Sequence, residues 1–553
     1  MRNKTTTPKL TVNAIAGTNV VFLGFDMPQA SSGDLMGFSI KRTDGASGES
    51  KWLRGLKSFA SQYKDQGDNT DYSSYKHPFQ SFQWADYTAE PDTSYDYEVH
   101  ARGGTASALT TAAKCIVTVK TETADGNPHS VYFNRGAIAS QAYARRFNNE
   151  DPDKVGAAAV NWLTRDLLPG ILSFIARAES AEYELHCAIF ETKYEPVLQA
   201  LIDASIRGVK VQLVYSAKPG KDTTVGNEEM IGALNMNNIC IKRTVVELMH
   251  NKFMVLSRKG KPQAVLTGSA NLSRNAMIGQ LNVAHVIEGA AMAKDFLEYW
   301  QYLADDKPLA DVEEWNMTRP LPPANNLPAA FAMFLPYANA EAIGWMCEVA
   351  NQAEKGLFMN FPFGIGDEFR DVYRQDGDVL RFALLDKVVN GGNAAYRERV
   401  EADTLEIRKR ANVVLAVGSR VFTKKVDGWL LEAKGLGVNV NWVHTKFMLC
   451  DPLGANPIVI TGSANFSNNS VKNNDENMIV IKGDQRVADI YFTEYMRLFA
   501  HHAFRESLAR YVTNGDDAAR WEPKNLFETA AEWVPPYYSR GSIKAMRRKY
   551  FAG

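Results

Sequence analysis

One phrase occurs twice in this 553-residue chain, and its spacing restricts the folds open to it. His250-Asn-Lys252-Phe-Met-Val-Leu256 leads to Thr267-Gly-Ser269-Ala-Asn271, and His444-Thr-Lys446-Phe-Met-Leu-Cys450 leads to Thr461-Gly-Ser463-Ala-Asn465. The His-to-Ser separation is the same in both copies (269 − 250 = 19 and 463 − 444 = 19). In each, an apolar run follows His-x-Lys, and a second apolar run (Ala264-Val-Leu266, Ile458-Val-Ile460) precedes Thr-Gly-Ser-Ala-Asn. The chain must therefore build the same strand-and-loop unit twice.

The surroundings repeat as well. The run from Glu184 to Phe190 reads as a buried strand, and Pro196 to Arg207 has helical periodicity ending at Gly208. Val209 to Tyr215 reads as a second strand, so the unit is a right-handed strand-helix-strand with parallel pairing. The later half echoes it with Gly356 to Phe361, a helix from about Asp367, and Val379 to Leu385. Each half closes with an aromatic helix, Phe296 to Leu303 and Tyr491 to Phe499. The Pro-rich stretch Thr318 to Pro328 reads as the linker between halves.

Before the repeat, about Leu10 to Val119 is a succession of short strands and Gly/Ser/Asp turns. Tyr95, Tyr97, Val99 and Ala101 alternate along one strand, which puts them on its core face. This segment resembles a fibronectin type III or immunoglobulin-like sandwich, with an atypical insertion over Lys51 to Lys76. After about Arg510 comes a tail, Trp521-Glu-Pro through Trp533 to Tyr538, whose aromatics are expected to dock on the body. Its basic end, Lys544 to Lys549, reads as a solvated face.

Composition excludes several classes. A net charge of −1 implies no field-scale basic surface for nucleic acid. Five scattered cysteines, never in a C-x-x-C pair, read as buried thiols rather than disulfides or a zinc site. The polar amino terminus lacks an apolar signal core and no run reaches a membrane span, so the expected location is cytoplasmic, with unconventional secretion open.

The repeated residues suit phosphoryl chemistry. His and Lys two apart on a strand project to the same face. Glycine lets the backbone approach an anion, while Ser and Asn supply donors. Two such halves facing each other offer two imidazoles for a double displacement: one attacks phosphorus, the other protonates the leaving alcohol and then deprotonates water. The lysines and asparagines would hold the charge on the oxygens. His186 and His285 read as core.

With these residues in place, the chain resembles the phospholipase D superfamily, whose signature is H-x-K-x4-D followed by G-S-x-N in each of two halves. The resemblance spans about residues 130 to 510. It implies an α/β fold of two pseudo-two-fold related α/β/α lobes, with a metal-independent site at their junction and no cofactor. The expected organisation is a sandwich over 1–125, a first lobe over 130–315, a second over 330–510, and a tail over 511–553 docking on the lobes. The implied catalytic residues are His250, Lys252, Asn271, His444, Lys446 and Asn465, with Ser269, Ser463, Asp451, Glu476 and Gln280 supporting them or the phosphate.

The two copies depart from the signature unequally. The second keeps Asp451 where the first has Ser257, although both sit in turn-like sequence, so Asp451 reads as structural. The second motif is followed by Asp475-Glu476-Asn477, which places a carboxylate behind His444. The first half has Gly279-Gln280-Leu281-Asn282 there, so Gln280 takes the role or it is vacant. Family precedent makes His250 the nucleophile, with the opposite assignment, His444, left open.

The motif fixes the reaction class and not the substrate. The leading expectation is hydrolysis of a glycerophospholipid to phosphatidate and head-group alcohol, with transphosphatidylation, by a monomer at a membrane or micelle surface. Phe361 to Gly366 and Leu526 to Tyr538 are candidates to line an acyl-chain cleft. The alternative is a nuclease, whose basic groove would have to draw on Arg258-Lys-Gly-Lys261. A degenerate binding protein is a third reading.

Overall fold

The computed structural model describes residues 1–62, 71–136, 140–337, 341–418, 443–513 and 525–553. Part of the 51–76 insertion (63–70) and Trp521-Glu-Pro at the start of the tail lie outside these residues.

The amino-terminal region is an all-β sandwich. Arg2–Thr6, Thr11–Ala16, Val21–Asp26 and Gln83–Asp86 form one sheet, and Ala108–Lys120, Ser94–Thr105, Gly37–Asp44 and Ser50–Trp52 form the other. Inner side chains of both sheets make one core, including Val12, Leu23 and Phe25 against Phe38, Tyr97 and Val117. Tyr95, Tyr97, Val99 and Ala101 are all buried, as alternation predicts. The Tyr95 hydroxyl accepts the Glu90 amide at 2.9 Å.

The rest of the chain folds twice into the same sheet. In the first lobe the strand order is His129–Phe133, Val283–Glu288, Lys261–Gly268, Lys252–Arg258, Tyr183–Ile189, Lys210–Ser216, Cys240–Arg243. In the second, Ala330–Leu335 pairs with Asn474–Lys482, followed by Ile458–Gly462, Phe447–Cys450, Gly356–Phe361, Leu380–Leu385 and Val413–Val417. The strands match one for one. The three at the crossover edge of each lobe pair in parallel and the others antiparallel, as the strand-helix-strand reading requires. Among the described residues, no helix is long and apolar enough to cross a membrane.

The lobes are joined by exchanged helices. Ala290–Ala304 closes the first half, yet its Phe296 meets Phe334 of the second lobe (centroids 4.9 Å) as closely as Phe253 of its own (5.1 Å). Gln485–Thr513 does the same in reverse, with Tyr491 at 5.2 Å from both Phe133 and Phe447. Each aromatic helix therefore seals the face between lobes, and one apolar core runs through both.

The tail was expected on the lobes; it packs first on the sandwich. Trp533 donates its indole N–H to the Leu35 carbonyl at 3.0 Å, Leu526 pairs beside Phe59, and Tyr538 donates to the Met27 carbonyl at 2.9 Å. These side chains complete the sandwich core, so they line no acyl-chain cleft. The last helix, Ile543–Ala552, then wedges between sandwich and second lobe, with Phe551 against Phe22 and Phe382. Of its basic residues, Lys544 and Lys549 are exposed as a solvated face requires, but Arg548 is not. Arg548 is buried, pairs with Asp26 and stacks on Tyr538.

Candidate active site

Both His-x-Lys pairs sit at the inner end of their strands, where the lobes meet. Just before each pair the chain crosses to the other lobe. Leu248–Met249 pairs in parallel with Asn474–Asp475, and Val443 bridges to Leu281. The crossings are related by the offset of the repeat (444 − 250 = 194; 249 + 194 = 443; 281 + 194 = 475). His250 and His444 keep 9% and 7% of their surface exposed, while Lys252 and Lys446 are buried beside them. Each ammonium turns back to its own histidine's carbonyl, Lys446 Nζ at 2.6 Å from His444 O and Lys252 Nζ likewise on His250 O.

The carboxylate lies behind the other histidine from the one expected. Glu476 Oε2 accepts from His250 Nδ1 at 2.8 Å, across the lobe junction. His444 Nδ1 instead meets Asn282 Oδ1 at 2.9 Å. Asn282 stands at the position of Glu476 in the first copy (476 − 194 = 282). Gln280 does not fill the role. It lies two residues earlier, where its amide donates to Asn275 O and its carbonyl receives the Asn134 side chain. The reason is topological: the segment after each Thr-Gly-Ser-Ala-Asn loop runs alongside the other copy's histidine.

Supporting bonds fix both partners. The Ser470 hydroxyl and Asn474 Nδ2 donate to Glu476 Oε1, and the His250 amide donates to Asp475 O at 2.9 Å. Asp475 is gripped by Arg243 of the first lobe, with Nε to Oδ2 at 2.8 Å and both side chains fully buried. On the other side, the Asn134 carbonyl oxygen of the side chain accepts the Asn282 amide at 2.9 Å.

The serines play a different part from the one expected. Ser269 donates to Asn282 Oδ1 at 2.9 Å and accepts the Val283 amide, while Ser463 bonds the Asn477 backbone in both directions. Both are fully buried, so they orient the loops and leave phosphate contact to other groups. The preceding glycines answer to packing too. A Cβ on Gly268 or Gly462 would strike the Val283 or Asn477 carbonyl of the adjacent strand. Asp451 is structural: its carboxylate accepts the amides of Glu354, Lys355 and Gly356 at 2.7–2.8 Å. Asn271 donates to Glu191 at 3.0 Å, and the buried Oδ1 atoms of Asn271 and Asn465 have no hydrogen-bond partner among the described residues. His186 and His285 are core, the latter between His129 and Tyr491.

Burial sets the charge states. It pushes His250 down to about 4, against the pull of Glu476, and drives His444 well below its ordinary value, helped by Lys446 and Lys252. Lys252 falls to about 7 through burial, which Glu476 and Glu191 only partly offset, and Lys446 lies well below its usual range through burial and the Lys252 ammonium. Burial also pushes the Glu476 carboxyl up, but pairing with His250, Lys252 and Ser470 outweighs it and keeps the group ionised. At neutral pH both imidazoles are thus neutral. Nδ1–H of His250 points at a carboxylate, which leaves Nε2 its lone pair. The cationic groups lack enough counter-charge, and an incoming anion would restore them.

Of the residues considered for substrate contact, Phe361 is core, edge-on to Phe369, Tyr373 and Phe466, whereas Phe363 of the same segment stays exposed. Arg258 and Lys259 pair with Glu182 at the far end of the Lys252 strand, about 20 Å away at 3.3 Å per residue, so they form no groove at the site. Phe190 does belong here, packed edge-on against His250 with centroids 4.9 Å apart.

Comparison with known proteins finds similarity over both lobes. A family model described as "Cardiolipin synthase, PLD-like domain" matches residues 174–304 and 402–499, which include both copies of the phrase. No curated protein sequence matches the chain. Among solved structures, the chain is similar to phosphatidylserine synthase from Haemophilus influenzae Rd KW20 (10% identity, 70% of this chain and 91% of that one, TM-score 0.43). It is similar to Nuc, a phospholipase D family member from Salmonella typhimurium (20% identity, 32% and 95%, TM-score 0.22). It also matches a polyphosphate kinase from Porphyromonas gingivalis at 12% identity and TM-score 0.37, over 58% of this chain but spanning only 43% of that enzyme.

Proposed function

We propose that this protein is a phosphodiesterase of the phospholipase D superfamily, acting through a phosphohistidine on His250. The observation that carries the reading is the unequal backing of the two imidazoles: a carboxylate behind His250 and an amide behind His444. Attack by Nε2 of His250 on phosphorus puts positive charge on its ring, and Glu476 stabilises that charge. Asn282 accepts a hydrogen bond from Nδ1 of His444 without adding charge, so the protonated imidazole gives up its Nε2 proton more readily. A bound anion favours the imidazolium, so His444 takes a proton from solvent at Nε2 and passes it to the leaving oxygen. It then takes a proton from water, which displaces phosphate from His250 and restores both rings. Lys252, Lys446, Asn271 and Asn465 hold the equatorial oxygens, supplying charge within a site shielded from water.

The substrate we propose is a glycerophospholipid, cleaved to phosphatidate and head-group alcohol, with alcohol transfer as a side reaction. Support comes from apolar side chains at the rim, Phe190 on His250 and the exposed Phe363, and from the near-neutral net charge. The test is incubation with phosphatidylcholine plus ethanol, and separately with DNA and RNA, all in EDTA. Phosphatidylethanol that disappears in His250→Ala is the expected result. Nucleic-acid cleavage without lipid turnover overturns the lipid substrate. Trapped phosphate mapped to His444 overturns the assignment of roles.

A further inference from the structure

Glu191 faces the motif side chains without pairing with either imidazole. Its Oε2 accepts from Asn271 Nδ2 at 3.0 Å, and its charge reaches Lys252. The Leu272 amide donates to the Glu191 carbonyl at 3.0 Å, which ties the two segments together. A quarter of the side chain stays exposed (25%), so it stands at the rim.

The other lobe has no counterpart. Ile189 lies opposite Lys252, and Met359 lies opposite Met448, so continuing that register puts Phe361 opposite Lys446. Glu191 and Phe363 are each two residues further on. One lobe thus offers a carboxylate where the other offers an aromatic ring, 39% exposed.

We propose that Glu191 is a specificity-determining residue, admitting singly charged phosphodiesters and turning away doubly charged phosphomonoesters. The proposal rests on the phosphodiesterase reading of this site. Once a bound anion has recharged both ammonium groups, Lys252, Lys446 and Lys193, which lies 4.0 Å from Glu191, exceed Glu476 and Glu191 by one positive charge. A diester takes that sum to zero and a monoester dianion to −1. Without Glu191, a dianion takes it to zero, the same sum as the native site holding a diester. Buried charge beyond balance is costly, so the last unit decides which ligand stays. The device has a use, since hydrolysis of a diester yields a monoester. Glu191 would speed release of that product.

The test uses the full chain at pH 8 with dimethyl phosphate, a monoanion, and methyl phosphate, a dianion, titrated by calorimetry. Glu191→Gln keeps an acceptor for Asn271 and removes the charge. Because the Coulomb energy doubles with ligand charge, a gain of about threefold for dimethyl phosphate should accompany about tenfold for methyl phosphate. Glu191→Asp, which retains the charge, should keep the native preference. Equal gains for both ligands, no gain, or an aspartate variant that behaves like the glutamine one each overturn the proposal. If the native protein binds neither ligand and cleaves no diester, the phosphodiesterase reading falls with it. If it binds dimethyl phosphate and only the selectivity is unmoved, Glu191 alone is misassigned.

Discussion

Replacing Glu476 by glutamine removes a buried negative charge 2.8 Å from His250 Nδ1. Glutamine still offers an acceptor, so ring orientation survives and the change is electrostatic. The ring becomes cationic as its other nitrogen bonds phosphorus, with its charge centred roughly 4 Å from the carboxylate. At an effective dielectric of 20 that attraction is about 4 kcal/mol. Some of it is already present in the neutral ring's hydrogen bond, and a transition state carries only part of the full charge. A loss of about 3–4 kcal/mol is therefore an upper range, and formation of the intermediate should slow by about 10²–10³-fold. The assay is rapid quench with bis(4-nitrophenyl) phosphate, followed by mass spectrometry of phosphorylated His250. KM should hold, because Glu476 stands behind the ring and away from the phosphate. An intermediate that forms within about threefold of the native rate would refute the reasoning.

Four further outcomes follow from the same geometry. Asn282→Ala should lower turnover by about tenfold or more while Gln280→Ala leaves it near native, since only Asn282 reaches His444; steady-state kinetics separate them. Arg243→Met should cost about 3–5 kcal/mol in urea unfolding, because it strands the buried Asp475, and Arg243→Met with Asp475→Leu should cost less than that single change. Gly24→Ala should displace the final helix, since a Cβ there meets the Phe551 carbonyl, and faster hydrogen exchange over Ile543–Ala552 would report it. Stability should drop on acidification: His186 and His250 are held at about 4 by burial, and His129, His285 and His444 also lie below the ordinary value. The unfolded chain then takes up more protons between about pH 6.5 and 4. Stability is full above about 6.5 and lost toward 4, by about 1.4 kcal/mol per pH unit for each such group, and urea midpoints at pH 7.5 and 5 check the slope.

Much of the fold was legible in residue order. Alternation at Tyr95, Tyr97, Val99 and Ala101 placed the sandwich core, and period two also put His250 with Lys252 and His444 with Lys446. The strand-helix-strand units appear within a residue or so of the runs that predict them. Asn282 was available to a stricter reading, because subtracting the repeat's offset from Glu476 lands on it. The tail was harder. Its aromatics announce burial but not against which surface, and pairing of Leu526 beside Phe59 joins residues more than 450 positions apart. The serines misled for a related reason: a hydroxyl in a loop is a possible ligand contact until its own loop's amides are seen to use it.

From the residues alone came two copies of one unit, a pair of imidazoles and ammoniums, and, beside the turn residue Asp451, one carboxylate to stand behind an imidazole. What remained for the tertiary structure was ownership of that carboxylate. Linear order puts Glu476 in the second copy, thirteen residues after Ser463, and so beside His444. The lobes pair at the starts of their motif strands, however, so each copy's trailing segment lies along the other copy's histidine. Neighbourhood in a folded chain follows strand pairing rather than sequence distance. That pairing gives His250 the carboxylate, His444 the amide, and Glu191 its place over Asn271.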